Sequence, residues 1–179
     1  LDLEKLDISF INNSYTTVVI CAGTTNKKDC EKNLKVQKII NVENIKKIIK
    51  KAITEKIFVI YLSSNAVFDG KKQFYNYSDK TSPITKYGEF KDEVEKYIVS
   101  TFIKSSCILR LTKVITEKND LIEKWKKAIK LNKKITTFSN IYISPVKIER
   151  VIDIISKLID KKQGGIYQLG GNKEISYTD

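Results

Sequence analysis

The chain has 179 residues, of which 41% are hydrophobic and 30% charged, and its formal net charge is +12 at pH 7. This length and composition predict about one domain with a sizeable buried core. No run of about 18 apolar residues occurs, so we expect no membrane span. The chain has no histidine, which removes His-based triads and most zinc sites from consideration, and we expect no metal.

The net positive charge raises the hypothesis of nucleic-acid binding. The lysines are scattered along the chain, however, and form no single basic block. In one predicted helix they lie opposite an apolar stripe, as is typical of a solvent-exposed helix face. The stripe consists of Ile45, Ile48, Ile49 and Ile53. We therefore expect no nucleic-acid partner.

The three cysteines, Cys21, Cys30 and Cys107, have no Cys-x-x-Cys spacing. An odd number of cysteines without such spacing predicts reduced thiols and a cytoplasmic protein. Cys21 and Cys107 lie in apolar runs, so we expect them to be small core residues rather than nucleophiles.

The hydrophobic pattern predicts alternating strands and helices. Strands are expected near 17–22, 57–63, 107–111, 135–138 and 166–169, and helices near 33–53, 87–103, 119–131 and 146–160. This alternation predicts an α/β fold with a parallel sheet. No linker or repeat divides the chain. Ser144-Pro145 predicts a helix start, with Ser as N-cap and Pro at the first helical position.

The most informative stretch runs from the second predicted strand into the helix that follows it. The strand ends on the hydroxyl residues Ser63 and Ser64, at the edge where open α/β sheets bind ligands. Tyr87 and Lys91 then share one helix face. An ammonium beside a phenol favours the ionised phenol, so this pair predicts proton transfer with a substrate oxygen and suggests an oxidoreductase.

These residues stand within longer motifs. The motif positions are Val18–Thr25, Asn41, Ser63–Gly70, Asp79, Pro83, Tyr87-Gly88 and Lys91. In this order they resemble the extended short-chain dehydrogenase/reductases, and among them the dTDP-4-dehydrorhamnose reductase branch. The resemblance covers nearly the whole chain. It implies a Rossmann-like, doubly wound parallel sheet with a small substrate-binding part, with 1–114 mainly cofactor-binding and 115–179 mainly on the substrate side of a single domain, 1–179.

The resemblance also assigns roles to individual residues. It implies that Ser64, Tyr87 and Lys91 are catalytic. The implied cofactor-binding residues are Ala22, Gly23, Thr24, Asn41, Ser63, Tyr87 and Lys91. The implied substrate-binding residues are Asn65, Lys113 and Asn140, and the loop 138–145 would close over the nucleotide with Tyr142 as a further polar contact.

The activity implied is NAD(P)-dependent reduction of a keto-sugar nucleotide in polysaccharide biosynthesis, with NADP or NAD as cofactor. The expected partner is the nucleotide sugar, and a homodimer is a candidate assembly. Two alternatives stay open: a nucleotide-sugar epimerase or dehydratase of the same fold, and a catalytically inactive regulatory protein. The segment Ser64-Asn65-Ala66 lacks the adjacent acidic residues usual in dehydratases, which favours a reductase or epimerase.

The sequence also departs from the family pattern. No Gly-x-x-Gly-x-x-Gly turn, which cradles the cofactor pyrophosphate in the family, occurs in these residues. We therefore expect the fold to be incomplete at both ends, with an unpaired edge at the strand near 17–22. Asn65, Ala66 and Lys113 replace the family's Asp, Tyr and Trp, so the sugar is expected to differ.

Overall fold

The structure is a computed structural model that describes residues 2–116, 120–137, 141–176 and 178. The chain divides into two compact units. The first comprises Leu1–Arg110 and Ser156–Gln168, and the second comprises Leu111–Ile155 and Leu169–Asp179. Within the described residues no helix is both long and apolar enough to cross a bilayer.

The longer strands alternate with helices, as predicted, and the described part of the second unit adds four strands of two residues each. The strands are β1 (Thr17–Ile20), β2 (Phe58–Ser64), β3 (Ser106–Leu111), β4 (Val114–Ile115), β5 (Tyr142–Ile143), β6 (Val146–Lys147), β7 (Gly165–Leu169) and β8 (Ile175–Ser176). The helices are α1 (Lys27–Glu31), α2 (Leu34–Lys38), α3 (Asn44–Thr54), α4 (Lys86–Thr101), α5 (Asp120–Lys130) and α6 (Ile148–Lys161). A π-helical turn, Ile39–Glu43, joins α2 to α3, and a 3₁₀ turn, Asn65–Val67, follows β2.

The central sheet has the strand order β1-β2-β3-β7. β1 and β2 are parallel, with Val18 opposite Val59 and Ile20 opposite Tyr61. Helices connect successive strands of this sheet, as parallel pairing requires. The predicted Rossmann-like parallel sheet with flanking helices is thus confirmed. In the second unit, β4 pairs with β6 in parallel and β5 with β8 in antiparallel orientation.

The core of the first unit lies between the sheet and helices α3 and α4. The predicted isoleucine stripe of α3 supplies Ile45, Ile48 and Ile49, which are buried. Val94 and Ile98 of α4 are fully buried in the same cluster. Burying each such side chain contributes about 1.5–3 kcal/mol. These contacts fix α4, the helix that carries Tyr87 and Lys91, against the sheet.

Three sequence expectations are wrong. The strand expected near 135–138 does not form, because residues 135–137 have no regular structure, and Phe138 lies outside the described residues. Ser144 is not a helix cap, since α6 begins at Ile148 and the Ser144 hydroxyl instead donates to the Gly171 carbonyl at 2.9 Å. Cys21 is exposed rather than in the core, since it follows the last residue of β1, whereas Cys107 is buried as expected.

Candidate active site

Lys91 lies at the centre of the candidate site in the first unit. Its side chain extends from α4 to the carboxyl end of β2, where Nζ donates a hydrogen bond to the Leu62 carbonyl at 2.9 Å. Nζ also lies 4.7 Å from the centre of the Tyr61 ring and 5.9 Å from that of Tyr87. Only 9% of Lys91 is exposed. Burial lowers the pKa of Lys91 to about 8, while the charge of Glu95 acts in the opposite direction.

Tyr87 is half-buried, and its phenol lies close to the Ser64 side chain. Burial raises the pKa of the Tyr87 phenol, and the interaction with Ser64 lowers it by a smaller amount. The net shift is opposite to the expectation that the Lys91 ammonium lowers the Tyr87 pKa. The physical reason is that desolvation disfavours the phenolate more than Ser64 favours it. The Tyr87 phenol is therefore protonated in this site, as a proton donor must be.

Two features position Tyr87: a side-chain cap at the start of α4, and a close contact between α4 and the backbone of the turn after β2. The Thr85 hydroxyl accepts a hydrogen bond from Gly88 N at 3.2 Å and caps α4. A Cβ at Gly88 would lie 2.1 Å from the Ala66 carbonyl oxygen. The first turn of α4 can therefore rest on the 3₁₀ turn after β2 only because residue 88 is glycine. This contact brings Tyr87 beside Ser64.

The residues after β1 form a second part of the site. Gly23 has φ +134°, a conformation that favours glycine, and a Cβ there would lie 2.8 Å from Asn41 Oδ1. Asn41 Oδ1 accepts a hydrogen bond from Thr24 N at 2.8 Å, and its Nδ2 donates to the Gln37 carbonyl at 2.9 Å. Asn41 is buried in the π-helical turn, a feature often found at functional sites. The predicted residues Gly23, Thr24 and Asn41 are thus brought together.

The site also contains buried polar atoms whose hydrogen bonds are not all made within the described residues. Ser63 Oγ is buried and has no hydrogen-bond partner in the described part of the chain. Buried hydroxyls usually have one, so an unsatisfied group at a strand end is typical of a ligand site. Among these residues Lys91 Nζ has one acceptor, Leu62 O, for its three hydrogens. These donors at the strand end fit the hydroxyl-bearing ribose and nicotinamide end of a dinucleotide cofactor.

Three functional candidates escaped the sequence analysis. Tyr61 packs under Lys91, and Glu95 forms a buried ion pair with Arg110, whose Nη2 lies 2.7 Å from Glu95 Oε2. Glu95 could have been found, since it continues the four-residue spacing of Tyr87 and Lys91 along one face of α4. Arg110 could not, because only the fold brings β3 against α4.

The predicted substrate-binding residues belong to different parts of the chain. Asn65 is exposed at the start of the 3₁₀ turn, where its Oδ1 lies 3.4 Å from Ser64 Oγ. Lys113 belongs to the second unit, has an exposed side chain, and accepts a hydrogen bond from Val146 N at its carbonyl. Asn140 lies outside the described residues.

Comparison with known proteins identifies the family and the fold of the chain. The family model described as the RmlD substrate binding domain matches residues 1–179. Among curated protein sequences there is no significant match. A crystal structure of a hypothetical dTDP-4-dehydrorhamnose reductase from Sulfolobus tokodaii is 26% identical, with a TM-score of 0.86, and the match covers 99% of this chain and 64% of that one.

Two further solved structures have the same fold at lower sequence identity. A dTDP-4-dehydrorhamnose reductase from Bacillus anthracis in complex with NADP is 20% identical over 90% of this chain and 58% of that one, with a TM-score of 0.84. A UDP-N-acetylglucosamine 4-epimerase from Methanobrevibacter ruminantium in complex with UDP-N-acetylmuramic acid is 17% identical over 99% of this chain and 60% of that one, also with a TM-score of 0.84. The chain therefore spans less than two thirds of the length of these proteins.

Proposed function

Because the chain belongs to the RmlD substrate binding domain family, we propose that it forms the catalytic part of an NAD(P)-dependent enzyme that reduces the keto group of a sugar nucleotide. The observation that carries the proposal is the convergence of Ser64, Tyr87 and Lys91 at the carboxyl end of β2. Such an enzyme would act in polysaccharide biosynthesis in the cytoplasm.

Cofactor binding would use the residues at the ends of β1 and β2. Lys91 Nζ, fixed by Leu62 O, would donate its remaining hydrogens to the ribose hydroxyls, and Ser63 Oγ would gain a partner that the described chain does not supply. Gly23 has no side chain, and Asn41 holds the next residue by accepting a hydrogen bond from Thr24 N, so the cofactor would lie against the backbone at this strand end. A bound nicotinamide supplies hydride, which this chain's side chains cannot. These residues would contact the ribose and nicotinamide, which NADP and NAD have in common.

Tyr87 would donate the proton in this reaction. Reduction of a carbonyl places negative charge on its oxygen, and a phenol within hydrogen-bond distance can neutralise that charge by donating its proton. The raised pKa keeps Tyr87 protonated until then. Ser64 would donate a hydrogen bond to the same oxygen, and the Lys91 charge would stabilise the phenolate that forms.

A nucleotide-sugar epimerase is the second candidate. It is favoured by the similarity in fold to the epimerase from Methanobrevibacter ruminantium. An epimerase would use the same three side chains, but it would return the hydride to the sugar and leave no net oxidation. Consumption of NAD(P)H in proportion to substrate therefore distinguishes the two activities.

The test is Tyr87→Phe in the complete encoded protein. Removing the phenol deletes general acid catalysis, so turnover should fall by about a hundredfold or more, with cofactor affinity nearly unchanged. Lys91→Ala should weaken both cofactor binding and turnover. Tyr97→Phe is the matched control, because Tyr97 lies on the same helix and its ring packs against Phe102. Equal turnover of Tyr87→Phe and Tyr97→Phe would exclude this role for Tyr87.

A further inference from the structure

The buried ammonium of Lys91 needs stabilisation beyond its one hydrogen bond to the protein. A charged group removed from water is costly unless nearby dipoles or charges compensate it. Leu62 O is the single acceptor of Nζ among the described residues. The titratable groups that influence Lys91 are Glu95 on α4, Cys21 after β1 and Cys30 on α1, and none of them forms a hydrogen bond with Nζ in this part of the chain.

The face of the Tyr61 ring supplies a further contact. Tyr61 is completely buried on β2, and Nζ lies 4.7 Å from its ring centre, closer than the 5.9 Å to the Tyr87 ring. An aromatic face attracts a cation within about 6 Å, most strongly when water is excluded. The Tyr61 hydroxyl has no partner within the described residues, so the ring rather than the hydroxyl is the part of this side chain that Lys91 uses.

We propose that Tyr61 is a positioning residue whose ring face holds the Lys91 ammonium, in its charged form, at the carboxyl end of β2. The consequence for activity rests on the proposed function, but the contact itself does not. Tyr61 touches neither the substrate nor the cofactor in this proposal, and acts only through Lys91. Burial raises the pKa of Tyr61 well above its usual value, so the ring stays neutral throughout.

The experiment measures the Lys91 pKa directly. The complete encoded protein is labelled with 13C-lysine, and the Lys91 signal is identified by its absence from a Lys91→Arg variant. Its titration near pH 8 separates it from exposed lysines, which titrate near 10.4. Tyr61→Phe keeps the ring and should leave the Lys91 pKa unchanged. Tyr61→Leu removes the ring and should lower that pKa by about one unit.

Each outcome decides the proposal. Equal pKa values in Tyr61→Phe and Tyr61→Leu, or a higher value in Tyr61→Leu because water enters, would overturn it. If Tyr61→Leu does not fold, Tyr61→Met provides the same comparison with a more flexible apolar side chain. Where the protein turns over substrate, the alkaline limb of its pH profile should shift down by the same amount in Tyr61→Leu. If it shows no turnover at all, the proposed function fails, while the titration still decides the role of Tyr61.

Discussion

Removing one member of the buried ion pair Glu95–Arg110 should be among the substitutions that destabilise this protein most. Both side chains are only 3% exposed. Arg110 Nε lies 3.1 Å from each Glu95 oxygen, and Nη2 lies 2.7 Å from Oε2. Arg110 Nη1 also donates to the Tyr77 carbonyl, and the guanidinium lies 5.0 Å from the Phe68 ring centre. The pair thus joins α4, β3 and the loop before α4.

The burial and contacts of this pair determine how far each substitution should lower the free energy of unfolding. Glu95→Leu leaves a buried guanidinium without its counter-ion, which should cost about 3–5 kcal/mol. Arg110→Met should cost less, since the charge of Lys91 still interacts with Glu95. The double variant buries no unpaired charge of this pair, and it loses the Tyr77 and Phe68 contacts and the interaction of Glu95 with Lys91, so it should cost about 1–2 kcal/mol. The pair should therefore show a coupling energy of about 3 kcal/mol or more.

Urea unfolding of the protein and the three variants measures this cycle. The exposed pair Lys86–Glu89 on the same helix is the control. Glu89→Gln should change the free energy of unfolding by less than about 1 kcal/mol, because solvent screens an exposed ion pair. A double variant whose loss equals the sum of the two single losses would refute the reasoning, as would single losses no larger than that of Glu89→Gln.

Three further predictions follow from single residues. Gly88→Ala should destabilise the protein by at least about 2 kcal/mol and displace Tyr87, because its Cβ would meet the Ala66 carbonyl at 2.1 Å; denaturation and turnover measure this. At pH 7 the Lys91→Met variant should be more stable than the parent protein. The folded-state pKa of Lys91 lies below its unfolded value, 10.5, so the parent gains stability as the pH rises from 8 to 10.5, and the advantage of the variant should vanish over that range. A difference in stability between variant and parent that does not change with pH would contradict this. With an exposed cation at Lys113, kcat/KM should be higher for a bulkier or anionic keto-sugar nucleotide than for dTDP-4-dehydrorhamnose, as a substrate panel would show.

Patterns with a local physical cause were predictable from sequence. The isoleucines of α3 repeat at helical spacing, and the buried face of that helix follows directly. The hydroxyl residues after the apolar run of β2 mark the strand end, and Tyr87 and Lys91 share a helix face because they are four residues apart. These regularities suffice to place the candidate catalytic residues near one edge of the sheet.

What the sequence did not reveal depends on tertiary contacts. Ser144-Pro145 has the composition of a helix start, but the following residues pair with β4 before α6 begins, and the Ser144 hydroxyl is taken by Gly171. Cys21 continues the apolar run of β1, yet the strand ends one residue earlier and leaves the thiol exposed. The upward pKa shift of Tyr87 depends on burial, which residue spacing cannot report.

The charge of the candidate site is set by a few buried groups rather than by the basic surface. The excess of 33 basic over 21 acidic residues is a property of the whole chain, and exposed charges beyond about 10 Å are screened by salt. Lys91, Glu95 and Arg110 are buried and keep much more of their mutual interaction. Since Glu95 is paired with Arg110 and also favours the charged form of Lys91, one carboxylate both stabilises the helix and supports the ammonium. Substituting surface lysines should therefore alter the rate of encounter with anionic ligands while leaving the proton transfer proposed for Tyr87 intact.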